Sequence, residues 1–352
     1  MTDWLAPMQQ TFEYYIVDPG TWKDVKRIQT ITSATIKRDS TVETLGSASF
    51  DMDEYIGEAY IRTYLVTIQN GVKERHPLGT HLAQSMPSSF DGMRTSYSVD
   101  AYTPLMEVKE NQPPLGYYTP KGENVMDTAV SLTAEHCRAP VVGASFDTTL
   151  YKDFVAETDD TWLSYISDMA ANAKFAYGLD ELGRILFEPK QDLASLQPVW
   201  TYSDDNSSIL YPDISVDHDM FGIPNVVTVI YSDNYDYYES TVVNDDSNSP
   251  VSTVNRGRRI EYREDDPSLS GTPNQKMVDE YATALLKSLS TLECTVTYKH
   301  GYNDVRIGDC VRLNYRRSGV YDIKAKVTQQ SINCQNGCAV SETAVFTQKL
   351  WG

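Results

Sequence analysis

Residues Val305–Tyr315 read VRIGDCVRLNY. Val305 and Ile307 alternate with polar neighbours, and after a Gly308–Asp309 step Val311, Leu313 and Tyr315 do the same. A two-residue period puts apolar side chains on one face of a strand. The stretch therefore predicts two short strands joined with almost no loop. Glycine bends a chain where a side chain would clash, and aspartate bonds local backbone and holds the corner. Any small β-barrel has use for such a corner. The neighbouring stretches LECTVTYKH (292–300), GVYDIKAKVTQQSIN (319–333) and AVSETAVFTQKLW (339–351) alternate in the same way.

Upstream of these strands a helix is predicted over Asn274–Ser290, with Met277, Tyr281, Leu285 and Leu289 on one stripe. NVVTVIY (225–231) is a strand, and the polar stretch 234–255 reads as a hairpin tip or exposed loop. From Ile28 to Tyr102 the pattern is again β: IQTITSATIKRD, GSASFDM, AYIRTYLVTI, ERHPLGTHLAQ and TSYSVDAYTPLMEV. Asn70–Gly71 between two alternating runs is a strong two-residue hairpin signal. Turn signals at about ten-residue intervals suggest a small barrel or sandwich. Between the two β regions, ENQPPLGYYTPKGE (110–123) reads as a linker, followed by a helix over Met126–Cys137 with Val125, Ala129, Leu132 and His136 on one face. A further helix is expected from about Asp160 to Ala176, capped by Asp159 or Asp160, with Trp162, Ile166, Met169, Ala170 and Ala173 inward and Gly178 ending it. FAYGLDELGRILFEP (175–189) is a hairpin turning at Asp180–Gly183. The expected fold class is mainly β with an α+β insert: a barrel over 1–110, an α/β module over 111–215, and a second barrel with a packed helix over 216–352.

The 352 residues carry a net charge of -19, which excludes a general binder of double-stranded nucleic acid, since such a protein needs a basic face. No Lys or Arg lies between Lys190 and Arg256, where Asp192, Asp204, Asp205, Asp213, Asp217, Asp219, Asp233, Asp236, Glu239, Asp245 and Asp246 accumulate. Such a run solvates loops, or it makes a surface that does not stick to a polyanion. Twenty-four tyrosines against nine phenylalanines suggest half-exposed aromatic surface. No apolar run approaches the roughly 20 residues that span a membrane. The N-terminus lacks a signal peptide's basic start and apolar stretch, so synthesis in a cytoplasm is expected.

Motifs for catalysis are missing: there is no Gly-x-Ser-x-Gly, His-Glu-x-x-His or phosphate-binding glycine loop. An odd number of cysteines (137, 294, 310, 334, 338) argues against a disulfide framework. Cys334 and Cys338 flank a tight QNG hairpin, but zinc there needs two further ligands, and Cys294 alternates with Leu292 and Val296 as a core thiol. His76 and His81, five apart, fall on opposite strand faces and so do not share a metal; His218 between Asp217 and Asp219 reads as a solvated loop. The carboxylates Asp180 and Glu181, or Asp159 and Asp160, could serve glycoside hydrolysis only at a fixed separation with one raised pKa; they read instead as turn and cap residues. No catalytic, cofactor-binding or metal-ligating residue is assigned.

Taken in order, ITSATIKRD…LGSASFDM, YIRTYLVTIQNGVKERHPLGTHLAQSMPSSFDG, TSYSVDAYTPLMEV, TWLSYISDMAANAKFAYGLDELGRILFEP, PDISVDHDMFGIPNVVTVIYSDN and DVRIGDCVRLNY resemble bacteriophage tail hub proteins, which sit at the centre of a baseplate or tail tip. The resemblance spans Ile28 to Trp351 and rests on the ordered series, since no single motif is specific. It implies two tail-tube-like β-barrels joined by a smaller module, in a homotrimeric ring whose six barrels match the six-fold tail tube above and adapt it to a three-fold spike or fibre below. The implied partners are a second and third copy, the tail tube or distal tail protein, the C-terminus of the tape measure protein, and the spike or fibre. DNA passes the lumen during ejection without specific binding, and there is no membrane insertion and no cofactor. The implied location is the virion tail tip, after synthesis in the host cytoplasm. Many relatives continue into an enzymatic or receptor-binding extension after the closing barrel; here FTQKLWG follows it directly, so no enzyme activity is expected. The competing readings are a tail-associated cell-wall hydrolase and a carbohydrate-binding adhesion module that stacks sugars on exposed tyrosines.

Overall fold

A computed structural model describes residues 2–205, 208–232, 236–265, 267 and 273–351. The N-terminal β region forms β1 (Gln9–Asp18), β2 (Lys23–Ile28), β3 (Ile31–Asp39), β4 (Gly46–Met52), β5 (Ala59–Gln69), β6 (Val72–Ser85), β7 (Ser88–Phe90) and β8 (Thr95–Tyr102). The Asn70–Gly71 hairpin forms as the sequence predicts: Gln69 pairs with Val72, and both turn residues have positive φ, 51° and 78°. That is the two-residue turn whose twist suits adjoining strands.

The middle region contains α1 (Leu105–Lys109), β9 (Tyr118–Thr119), α2 (Val125–His136), β10 (Phe154–Val155), α3 (Trp162–Asn172), β11 (Phe175–Leu179), β12 (Ile185–Pro189) and β13 (Pro198–Ser203). Helix α2 buries Val125, Met126, Ala129 and Leu132, and α3 buries Trp162, Ile166, Met169 and Ala170 in the same core. The cap of α3 differs from expectation. Thr161 accepts from the Ser164 N–H, and the Ser164 hydroxyl accepts from the Thr161 N–H, a reciprocal capping box. Asp160 stands one residue too early and accepts instead from the Ser164 hydroxyl and the Glu157 N–H. The helix also stops short of Gly178, at Ala173, because Lys174 adopts φ 61°.

The C-terminal region forms β14 (Leu210–Asp217), β15 (Val226–Ser232), β16 (Tyr237–Val243), α4 (Thr253–Arg256), β17 (Glu261–Asp265), α5 (Gln275–Leu289), β18 (Thr291–Gly301), β19 (Cys310–Asn314), β20 (Ile323–Asn333) and β21 (Ala339–Lys349). Three expectations are corrected here. The stretch 234–255 is not simply a loop: from Tyr237 it forms β16, paired along its length with β15, and then α4; residues 234 and 235 lie outside the described residues. The α5 stripe is rotated by one residue, with Val278, Ala282 and Leu286 fully buried, and Tyr281, Leu285 and Leu289 at the margin of the core. Val305 and Ile307 do not form a strand; the chain turns there, and the strand begins only at Cys310.

The fold is mainly β. Its compact units are Met1–Ile214 with Tyr298–Ala344, and Ser215–Thr297 with Val345–Gly352. This division cuts across the three consecutive spans expected from element type. Within the first unit, strand order runs β20-β3-β4-β8-β6-β5-β1-β2, with β19 on β20 and β13 parallel to β19. Pairing of β3 with β20, Asp39 opposite Gln329 through Thr35 opposite Asn333, brings the two ends of the chain into one sheet. Ile36, Phe50, Met52, Ile61 and Leu65 then share a core with Ile332, Cys334, Cys338 and Val340. In the second unit, β15 lies between antiparallel β16 and parallel β17, and α5 buries its apolar stripe against Val227 and Val229.

Candidate functional site

The Gly308–Asp309 step is the edge of a cleft in the first unit. Gly308 has φ 91°, a conformation in which a β-carbon is strained. Its N–H donates to the Val327 carbonyl, and the Val327 N–H donates to the Asp309 carbonyl. The Asp309 carboxylate accepts from the Arg306 N–H at 2.9 Å. The step is thus a corner docked on β20, with aspartate closing the turn as the sequence suggests.

The cleft, about 480 Å³, is lined by residues of β3, β6, the β11–β12 hairpin and this corner, among them Lys37, Arg38, His81, Glu188, Lys190 and Asp309. Two acids on its wall are engaged: Asp180 with Arg184 and Glu181 with Arg306, each at 2.5 Å. Glu188 is exposed, but partial desolvation against the cleft, with the nearby Asp309 and Glu181 carboxylates, outweighs Arg306 and Lys326 and raises its carboxyl above the usual range. Asp309 is also raised, by burial, which the Arg306 N–H only partly offsets. His81 is buried and its Nδ1 has no hydrogen-bond partner. Burial, with the charge of Arg38 nearby, pushes its pKa down to about 3, so the imidazole is neutral.

Arg38 connects the cleft to a buried polar network. Its Nη2 donates to the Leu78 carbonyl at 2.8 Å and its Nη1 to Gln330 Oε1 at 3.1 Å. Gln330 Nε2 donates to Glu342 Oε1 at 2.5 Å, and the Tyr298 hydroxyl donates to Glu342 Oε2 at 2.6 Å. His300 Nε2 lies 3.3 Å from Glu342 Oε1 and 3.1 Å from the Tyr202 hydroxyl, which Asn303 also contacts. His300 Nδ1 is 2.6 Å from the Gly301 carbonyl; a carbonyl only accepts, so Nδ1 carries a proton. Burial acts to raise the Glu342 pKa, but the bonds from His300, Tyr298 and Gln330 outweigh it and the carboxyl is held below its ordinary value. Every member from Tyr202 to Glu342 is buried. Such a network fixes one arrangement of the strands that carry it; it does not present a reacting group to solvent.

The residues weighed from sequence are distributed as follows. Asp180 and Glu181 reach the cleft wall; Asp159 and Asp160 stay at the start of α3. His218 is exposed beside Asp219, which accepts from the Phe221 N–H. Cys294, Cys334 and Cys338 are buried free thiols, and among the described residues no three His, Cys, Asp or Glu side chains are grouped for a metal. His76 and His81 share a face of β6, contrary to the spacing: Leu78 is a bulge, so their partners Leu65 and Ile61 are four apart. No helix among the described residues is long and apolar enough to cross a membrane. Tyrosines divide sharply: Tyr60, Tyr165, Tyr202 and Tyr298 are fully buried, while Tyr55, Tyr118, Tyr151, Tyr237 and Tyr321 are exposed. Sequence reading missed the cleft and the Glu342 network. A signal existed for the second, because strict alternation along Leu292, Cys294, Val296, Tyr298 and His300, and along Val340, Glu342 and Ala344, points these polar residues inward.

No protein-family model and no curated protein sequence matches the chain. Solved structures share its fold. A tail protein from Neisseria meningitidis MC58 superposes with a TM-score of 0.62 at 14% identity, over 97% of this chain and 98% of that one. The 43 kDa tail protein of prophage MuSo2 from Shewanella oneidensis gives 0.61 at 11% identity, over 95% and 98%. A chain of the Francisella PdpA–VgrG complex gives 0.57 at 8% identity, over 96% of this chain but 58% of that one. The phage-tail resemblance drawn from the sequence is met at the level of fold, end to end.

Proposed function

We propose that this chain is a structural hub of a phage tail tip or baseplate, without enzymatic activity, working as a homotrimeric ring. The observation that carries the reading is the shared fold with tail proteins over nearly the full length of both chains. In this reading each copy contributes two tube-like barrels, so that three copies present six to the tail tube and a three-fold face to a spike or fibre. The tape measure protein and then DNA pass through the centre. The acidic run supplies a wall that a polyanion does not adhere to, because like charges repel within a Debye length of about 8–10 Å.

Several of those acids have structural duties instead. Asp204 accepts from the Arg317 backbone and side chain, Asp219 and Asp246 hold turns, and Glu239 accepts from Tyr237. Asp233 lies outside the described residues. Asp192, Asp213, Asp217 and Asp245 are exposed and are the candidates for a lumen wall. Electron micrographs and mass photometry of the purified chain, alone and with the tail-tube protein, test the assembly. Three-fold rings with a central hole are expected. Persistent monomers even with the tube protein present would overturn the hub reading. Release of peptidoglycan fragments, or glycan binding by the monomer, would favour the hydrolase or adhesion readings.

A further inference from the structure

We propose that the cleft beside the Gly308–Asp309 corner binds an oxyanion, a carboxylate or phosphate group, held by Arg38 and Lys190 above the His81 floor. In a chain of net charge -19, Lys37, Arg38, Lys190, Arg306 and Lys326 all line this one cavity. Arg306 is committed to Glu181, and Lys326 reaches the Gln191 carbonyl. The other three make no ion pair among the described residues. Arg38 is the most telling: its guanidinium is pinned by two neutral acceptors, Gln330 Oε1 and the Leu78 carbonyl, so it is fixed in place without a direct ion pair, the Glu342 carboxylate lying one hydrogen bond further on, beyond Gln330. A planar, anchored guanidinium recognises carboxylate and phosphate oxygens, and the Lys190 ammonium adds a charge-assisted bond; Lys37, next to Arg38 in β3, leaves the opposite face of the strand.

A second observation points the same way. Buried polar atoms almost always have a partner, yet His81 Nδ1 has none, on a side chain that is 4% exposed and lines the cavity. Gly79 leaves room for that ring: a β-carbon there would lie 2.6 Å from His81 Cε1. The acids on the wall do not supply the missing charge. Asp180 and Glu181 are paired with arginines, and Asp309 is turned to the Arg306 N–H. Glu188, packed over Gly178, faces the charges of Arg306 and Lys326.

The site is independent of the hub reading and is tested on the intact chain. Inorganic phosphate and tricarballylate are titrated separately, followed by calorimetry and by the histidine ring resonances. One or both anions should bind at sub-millimolar concentration and shift the His81 signal; which of them does so separates phosphate from carboxylate recognition. The exposed Lys190→Gln should weaken binding by about tenfold, the loss of a charge-assisted bond, while Lys299→Gln, an exposed lysine on β18, leaves it unchanged. No shift of His81 with either anion, or an equal loss in Lys299→Gln, would overturn the proposal.

Discussion

At the scale of single residues, the decisive groups are ionisable side chains taken out of water. His81 stays neutral in the fold down to about pH 3, whereas in the unfolded chain it takes up a proton below about pH 6.5. Its contribution to stability is therefore complete above about pH 6.5 and is lost as the pH falls towards the folded value. In that window the unfolding free energy should drop by up to about 1.4 kcal/mol per pH unit from this group. Urea titrations at pH 7, 6 and 5 should show a shallower slope in His81→Gln; an unchanged slope would mean that the ring is protonated in the fold. Glu342 has the opposite chemistry but the same sign. Its folded pKa is depressed, so its contribution is complete above the unfolded value of about 4.3 and is lost as the pH falls through the lower folded one. Replacing it by leucine leaves His300, Gln330 and Tyr298 without their shared acceptor. A cost on the order of 3 kcal/mol is expected, read from the urea midpoint at pH 7, and a cost near zero would show that the network is dispensable.

At the scale of elements, the legible and illegible parts separate by the range of the interaction that decides them. Strands with strict alternation, the Asn70–Gly71 turn and the existence of α2, α3 and α5 follow from local pattern and were readable. The α3 cap was misplaced because Asp159, Asp160 and Thr161 are all good capping residues, and only the reciprocal bond between Thr161 and Ser164 selects one. Thr161→Ala should therefore cost about 1 kcal/mol in thermal unfolding, whereas Asp159→Ala should cost much less; the reverse order would restore the earlier cap. The bulge at Leu78 reversed the faces of His76 and His81, since a single extra residue flips parity and leaves no clear mark in composition. The half-strand at Val305–Ile307 failed for a similar reason: alternation continues through a turn when one of its apolar residues, here Val305, happens to be buried. The cleft was invisible because its walls come from strands that are neighbours only after β3 pairs with β20. Gly46 illustrates how tightly that neighbourhood is built. A β-carbon there would lie 2.1 Å from the Lys37 carbonyl, at φ 136°, so Gly46→Ala should destabilise far more than the cap change, measurable as a loss of soluble folded protein.

At the scale of the whole molecule, the proposed ring makes demands that the monomer does not. If the exposed acids Asp192, Asp213, Asp217 and Asp245 face a channel, changing all four to Asn should leave ring assembly intact and slow DNA ejection. Particles that eject at the normal rate would remove the acidic wall from the hub reading while leaving the ring itself untouched. The union of β3 with β20 has a further consequence, which concerns time. Gln329 bonds a residue 290 positions earlier, Asp39. At roughly 5–20 residues per second the ribosome needs about 15–60 s to cover that interval. Throughout it, the β3 edge is complete but unpaired, a template open to any passing strand. Synthesis itself thus acts as a clock: the first unit closes only when the last strands emerge.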